Sequence, residues 1–396
     1  PQYAGQTAGP SGLAANAYEL WETDNRLVEE THLGSYRFSI EWSRIMPQRG
    51  VFDEAEIAHY RAIAEDLRQR DIVPFITLHH FTDPIWLNDL SDPDCTNGPS
   101  DENLCGWDNP DAIDSYVQFV ERIALEFADL VDDWTTFNEP NTVINVGYLL
   151  GIHAPGSPSS QTIIPDDERW LTVAAPVARA LIEAHARAYD AIKATDLVDA
   201  DGDGISANVG WTISSQYMQP ADPEDETHLA GATRYREFLN YLFPDSIHNG
   251  TWDPNFDGVP DETHPEWLNK QDFIGVQYYS RVFVLGNILG MDILSFGPCF
   301  GMLADLLSAC PETETINVSI FNEIYPEGLY HVVTEFADRY PGIPLPLTEN
   351  GVAANNGERK AQVLTRHLMN VHRLVSEGYP VYEYYAWSLT DNFEWA

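Results

Sequence analysis

Two glutamates in the 396-residue chain stand directly after short apolar runs, each in distinctive company. Glu139 lies in Thr135-Thr136-Phe137-Asn138-Glu139-Pro140, and Glu349 in Leu347-Thr348-Glu349-Asn350-Gly351. Two carboxylates facing one pocket can split a glycosidic bond: one protonates the leaving oxygen, and the other attacks the anomeric carbon or directs water at it. A gap of about 5–5.5 Å between them gives retention of configuration, and about 6.5–9.5 Å leaves room for water and gives inversion. One glutamate at a strand end is more often a solvated cap or an ion-pair partner, so the weight rests on the pair.

Such a pair needs a rigid frame, and the pattern supplies one. Apolar runs at 36–42, 72–80, 134–138, 205–214, 273–280, 345–348 and 381–388 alternate with stretches of helical periodicity at 14–34, 53–70, 110–131, 171–193, 321–340 and 358–378. In the first of these helices Leu20, Leu27 and Val28 are expected to share the buried face. Strands alternating with long helices imply parallel βαβ units, and nearly continuous apolar strands imply a sheet covered on both faces. The fold class is therefore α/β, a (β/α)8 TIM barrel, with seven of its eight strands recognisable. Arg37 aside, the polar residues of these runs gather at C-terminal strand ends, where barrel enzymes keep their chemistry.

Taken together, the motifs resemble glycoside hydrolase family 1, the β-glucosidases and β-galactosidases. Residues 36–47 are similar to that family's second strand and following turn, and Thr77-Leu78-His79-His80-Phe81 to its third. Asn138-Glu139-Pro140 matches the fourth, residues 273–279 the sixth, Thr348-Glu349-Asn350-Gly351 the seventh and residues 387–395 the eighth. The resemblance implies roles for individual residues. Glu139 is the acid/base, with a pKa expected to be raised by its pocket, and Glu349 is the nucleophile. Arg37 and Tyr279 bind and orient Glu349, Asn138 takes the sugar's 2-hydroxyl, and His80 the 3-hydroxyl region. Trp387 is the floor under the ring, and Glu394 with Trp395 grip the 4- and 6-hydroxyls. The expected activity is a retaining, exo-acting hydrolysis of terminal β-D-glucosides, with β-D-galactosides or fucosides also within reach. The acidic Asp391-Asn392-Phe393-Glu394 disfavours a 6-phosphate. Two other readings are a glycan-binding relative without catalysis and an enzyme that cuts inside long chains.

Three departures from the family pattern stand out. Gln277 replaces the Asn before the Tyr pair, and Phe81 replaces the usual Trp after His80. The family's first strand has no counterpart before Ala14, and no final helix follows the eighth-strand loop. The chain is thus expected to be one catalytic domain over residues 1–396, incomplete at both ends.

Composition narrows the partners. Sixty-two Asp and Glu face 21 Lys and Arg, a formal charge of −41, and lysine occurs only at 193, 270 and 360. Such a surface repels nucleic acid and anionic membranes, and it suits a saline medium. No run approaches the roughly 18 apolar residues of a membrane span. The expected partners are small β-glycosides and oligosaccharides. The four cysteines form two close pairs, Cys95 with Cys105 and Cys299 with Cys310, without a CxxC spacing. Disulfides closing short loops are expected, and with them a secreted or periplasmic setting. The family's catalysis requires no cofactor. A structural calcium is suggested by two half-loops, Asp199-x-Asp201-x-Asp203-Gly204 and Asp253-x-Asn255-x-Asp257-Gly258. Gly210 and His264 stand where a bidentate Glu would complete them.

Overall fold

The computed structural model describes residues 12–89, 92, 95–151, 153–154, 166–288, 290–299, 310–311, 323–354 and 357–392. Seven parallel strands form its central sheet: β1 (Ser35–Ser39), β2 (Val73–Thr77), β3 (Asp133–Asn138), β4 (Asn208–Pro220), β5 (Phe273–Leu285), β6 (Leu347–Gly351) and β7 (Tyr384–Trp387). They pair in chain order from β1 to β7. This is a (β/α)8 barrel in which the described strands correspond to the second through the eighth. Among the described residues no ladder joins β7 to β1, although the Ser35 and Tyr385 hydroxyls meet across that seam at 2.7 Å.

Helices α1 (Ala17–Glu30), α2 (Glu54–Gln69), α3 (Pro110–Phe127), α4 (Ala175–Thr195), α5 (Glu226–Arg236), α6 (Leu242–Asn249), α7 (Glu327–Arg339) and α8 (Gly357–Ser376) surround the sheet. Several begin with caps that the sequence provides. Asp53 accepts from the amides of Ala55 and Glu56, Asn109 from that of Asp111 ahead of Pro110, and Asp225 from Thr227 and His228. Each cap satisfies donors that the first helical turn leaves without an internal partner. No helix among the described residues is long and apolar enough to cross a membrane.

The core lies between sheet and helices, where Trp42, Trp107, Tyr116, Phe119 and Phe137 interlock on the β2–β3 side. Two expectations need correcting. Leu20 is 45% exposed, because α1 buries the stripe through Asp24, Asn25 and Val28. Asn25 Nδ2 bonds to the Ile63 carbonyl of α2, and this polar contact outweighs the apolar face that periodicity suggested. Strands β4 and β5 run to residues 220 and 285, well beyond the barrel rim. The stretch between them holds α5 and α6. Both cysteine pairs are joined as disulfides, with Cα–Cα distances of 5.6 and 5.7 Å.

Candidate active site

At the C-terminal rim of the strands, Glu349 sits in β6 with its side chain 7% exposed. Each of its oxygens has its own donor. Arg37 Nη1, from the middle of β1, donates to Oε1 at 2.7 Å, and the Tyr279 hydroxyl, from β5, donates to Oε2 at 2.7 Å. A buried carboxylate costs several kcal/mol to desolvate unless a cation and hydrogen bonds compensate it, and here both are present. The next residue, Asn350, fixes the backbone by donating to the Tyr278 carbonyl and accepting from the Tyr384 hydroxyl at 2.7 Å.

The same arginine reaches the other carboxylate's strand. Arg37 Nη2 donates to Asn138 Oδ1 at 2.6 Å, so one guanidinium ties β6 to the end of β3. There the chain is held on both sides: the Asn138 amide bonds to the His79 carbonyl and the Glu139 amide to the Thr212 carbonyl. Glu139 is 6% exposed and takes φ 46°, ψ 58° immediately before the turn that opens at Pro140. A non-glycine residue in the left-handed region costs on the order of 1–3 kcal/mol, and such strain persists where surrounding structure enforces it, often at functional sites. After the turn the helix widens into π geometry over Val143–Leu149.

His80 follows β2 and faces Asn138, whose Nδ2 donates to His80 Nε2 at 3.2 Å. That contact places the imidazole proton on Nδ1. Burial, with Arg37 and His79 nearby, lowers the His80 pKa to about 3, so the ring is neutral under ordinary conditions. Its neighbour His79 turns the other way, bonding Asp83 at 2.9 Å and packing on Trp107. Trp387, at the end of β7, lies 6.1 Å from His80 between ring centroids. Phe81 meets His80 edge-on at 4.8 Å. The structure thus brings Arg37, His80, Asn138, Tyr279, Glu349 and Trp387 into one linked group, with Glu139 next to Asn138. Glu394 and Trp395 lie outside the described residues.

Two participants were missed by motif reading. Thr212 of β4 donates to Asn138 Oδ1 at 3.0 Å; its signal was only its inward register opposite Asn138. Beyond Tyr279, Arg281 makes a two-point ion pair with buried Glu323 at 2.6 Å to each oxygen and stacks on Tyr325. This pair ties the extension of β5 beyond Tyr279 to residue 323, which also pairs with Arg281 through the backbone.

The acidic half-loops are arranged differently from the expected calcium pattern. Asp199 and Asp201 converge with Asp132, their nearest oxygens within 4.8 Å of one another. Asp203 is outside that group and instead accepts from the Ile205 amide. Asp199 itself caps the amides of Gly202 and Gly204, and Asp132 those of Ala200 and Asp201. In the second loop Asp253 accepts from Gly258 and Asp257 from Val259, while Asn255 joins no acidic cluster among the described residues. His264 is engaged by Glu262 and Glu266. Tight acidic turns meet their acceptor demand with their own amides. The first loop also precedes β4, at the barrel end opposite Glu349.

A parallel barrel with Glu139 and Glu349 at the C-terminal ends of its strands is the arrangement that glycoside hydrolysis by two carboxylates requires. The model of glycosyl hydrolase family 1 matches residues 3–396, and the chain belongs to that family. A β-galactosidase from Pyrococcus woesei is 31% identical over 96% of this chain and 79% of its own length. Thermotoga maritima β-glucosidase A is 28% identical over 97% and 80%. Among solved structures, the Pyrococcus horikoshii β-glycosidase superposes with a TM-score of 0.77 at 27% identity, over 96% of this chain and 77% of that one. The T. maritima β-glucosidase in complex with glucoimidazole gives 0.78 at 26% identity, over 96% and 80%. The chain is accordingly a glycoside hydrolase of the β-glycosidase family.

Proposed function

We propose that the protein removes terminal, non-phosphorylated β-D-glucosyl residues by double displacement, with Glu349 as nucleophile and Glu139 as acid/base. The observation that carries this reading is the pair of separate donors on Glu349. Arg37 and Tyr279 each donate to one of its oxygens and aim it while leaving lone pairs for attack. Glu139 protonates the departing oxygen, and in the second step the same group deprotonates the water that frees the sugar. Asn138 offers its amide to the 2-hydroxyl, neutral His80 lines the 3-hydroxyl side, and Trp387 underlies the ring. Glu394 and Trp395 receive the 4- and 6-hydroxyls, and the acidity of that segment turns a 6-phosphate away. The two carboxylates suffice for this chemistry, and no metal enters it. The inhibitor seen in the T. maritima relative is sugar-like, which supports a monosaccharide pocket here.

The test is release of p-nitrophenol from its β-glucoside by the wild type and by Glu349→Ala. Loss of at least about 10³-fold in kcat is expected for a group acting in the chemical step. Recovery of turnover with added azide, giving the α-glycosyl azide, would fix Glu349 as nucleophile. Unchanged turnover in Glu349→Ala refutes the assignment. The anomer released first, read by NMR, should be β; an α product would mean inversion.

A further inference from the structure

Gln277 stands on β5 two residues before Tyr279, inside the site itself. Its side chain is fully buried, and Nε2 donates to Asn138 Oδ1 at 2.8 Å and to Thr212 Oγ1 at 3.1 Å. The reach is unusual. Gln277 stands on β5 and Asn138 on β3, with β4 between them. Neighbouring strands are about 4.8 Å apart, so the contact crosses two spacings, shortened only by barrel curvature. A side chain one methylene shorter would end roughly 1.5 Å sooner.

What this contact does follows from the other groups on the same oxygen. Asn138 Oδ1 receives Arg37 Nη2 at 2.6 Å, Gln277 Nε2 at 2.8 Å and Thr212 Oγ1 at 3.0 Å. An amide oxygen has two lone pairs, so three donors, one of them cationic, saturate it. The amide is left with one orientation, its Nδ2 turned toward His80. One N–H serves His80, and in the glycosidase reading the second is the donor to the sugar's 2-hydroxyl. Thr212 can rotate its hydroxyl, and Arg37 is shared with Glu349. Gln277 is the donor whose other side-chain hydrogen bond, among the described residues, goes to Thr212.

We propose that Gln277 is a positioning residue for the Asn138 donor, and that its effect is expressed on the substrate's 2-hydroxyl as the transition state forms. The proposal rests on the glycosidase reading above. Gln277 does not touch the sugar; it fixes the partner that does. A hydrogen bond of this kind matters more in the transition state than in the bound substrate, so its loss should appear in kcat more than in KM.

The experiment compares aryl β-glucoside with its 2-deoxy analogue for the wild type, Gln277→Asn and Gln277→Met, with melting temperatures to confirm that each variant is folded. The glucoside should lose about 10- to 100-fold in kcat/KM in both variants, mostly in kcat, as expected for one oriented hydrogen bond. The 2-deoxy analogue should lose less than about threefold, because the group that Asn138 serves is absent. Equal losses on the two substrates would reduce Gln277 to a packing role and overturn the proposal while leaving the glycosidase reading intact. An unaffected glucoside in Gln277→Asn would do the same, since the shorter amide would then position Asn138 equally well. A folded wild type that hydrolyses neither substrate would overturn both.

Discussion

The two ends of the barrel treat buried carboxylates in opposite ways. At the rim, Glu349 has a guanidinium on one oxygen and a phenol on the other. At the floor, Asp133 begins β3 beside Asp132, Asp201 and Glu383, and the neutral amide Asn208 Nδ2 donates to it at 2.8 Å. Burial first, and then those neighbouring charges, push the Asp133 pKa up to about 7. Burial also takes Asp196 to about 7, although Trp134 donates to it, and raises Glu383 and Asp132. Cations are present there too, but Lys193 is spent on Asp272 and Arg68 stands 3.5 Å from Asp132. At the rim the fold brings its buried carboxylate a cation at close range; at the floor it sets acids beside one another, and they drift toward their neutral form. The rim gives its carboxylate compensating donors, and the floor sets its acids against one another.

The largest expected effect comes from making the rim resemble the floor. Arg37→Met would strand Glu349 with the Tyr279 hydroxyl alone. Removing one member of a buried ion pair typically costs about 3–5 kcal/mol, and the side chains here are 6% and 7% exposed. Turnover of an aryl β-glucoside should fall by at least about 100-fold, since the nucleophile loses its charge partner and Asn138 loses a donor. Adding Glu349→Gln to Arg37→Met should restore much of the lost melting temperature without restoring activity, because no unpaired charge remains. Equal stability for Arg37→Met and wild type would show that the pair is solvated, and the contrast between the two ends would fail.

The second effect is a pH dependence set by the floor. For a carboxyl whose folded pKa is about 7 against an ordinary 3.8, the folded state binds the proton more tightly. Its stabilising contribution is full below about pH 4 and is lost as pH rises toward and through 7. The wild type should therefore lose melting temperature between pH 5 and pH 8 relative to Asp133→Asn, whose amide is neutral throughout. Thermal melts of both proteins across that interval are the measurement, and parallel curves would mean that Asp133 is ionised like a surface acid. Asp196→Asn should behave in the same direction, with Asp132 as the neighbour whose charge it no longer opposes.

Much of this contrast was legible in the sequence, but unevenly. Rim residues come from short motifs at strand ends, where one residue slip would turn the side chain away, so identity and position carry the site together. Arg37, Asn138, Tyr279 and Glu349 duly meet in one network. Thr212 was invisible because a threonine inside an apolar strand looks like any β-branched residue. Helix α5 carries little apolar periodicity for a related reason. Glu-Thr-His-Leu-Ala-Gly-Ala-Thr-Arg-Tyr-Arg buries only Gly231, Ala232 and Tyr235. Gly231 lets it lie so close to β5 that an added Cβ would fall 2.3 Å from the Leu285 carbonyl oxygen. Close backbone contact of that kind replaces the apolar stripe on which sequence reading depends. The floor carboxylates read simply as part of an acidic chain, since their perturbation arises from strands distant in sequence meeting at one end. The half-loops at Asp199 and Asp253 show the limit of spacing alone: alternating acids fit a cation and fit a turn capped by its own amides equally well.

The smallest effect separates both barrel ends from the surface. Exposed ion pairs such as Arg26–Glu30 or Arg373–Glu377 are worth little and weaken in salt. The formal charge of −41 acts at longer range as self-repulsion, which salt relieves. At roughly 1 M salt the Debye length is about 3 Å, short enough to screen one surface acid from the next. It does not reach a guanidinium and carboxylate already in contact and shielded from solvent. Raising salt to about 1 M should therefore increase melting temperature modestly, while kcat on a neutral aryl glucoside stays within about twofold. The pH-dependent difference between wild type and Asp133→Asn should also persist, because burial is its first cause. A steep loss of kcat in salt would mean that ions penetrate to Glu349 and that the rim is electrostatically open. A pH difference that vanished in salt would assign the floor to exposed charge instead of burial, and the two ends would then differ only in which residues they hold.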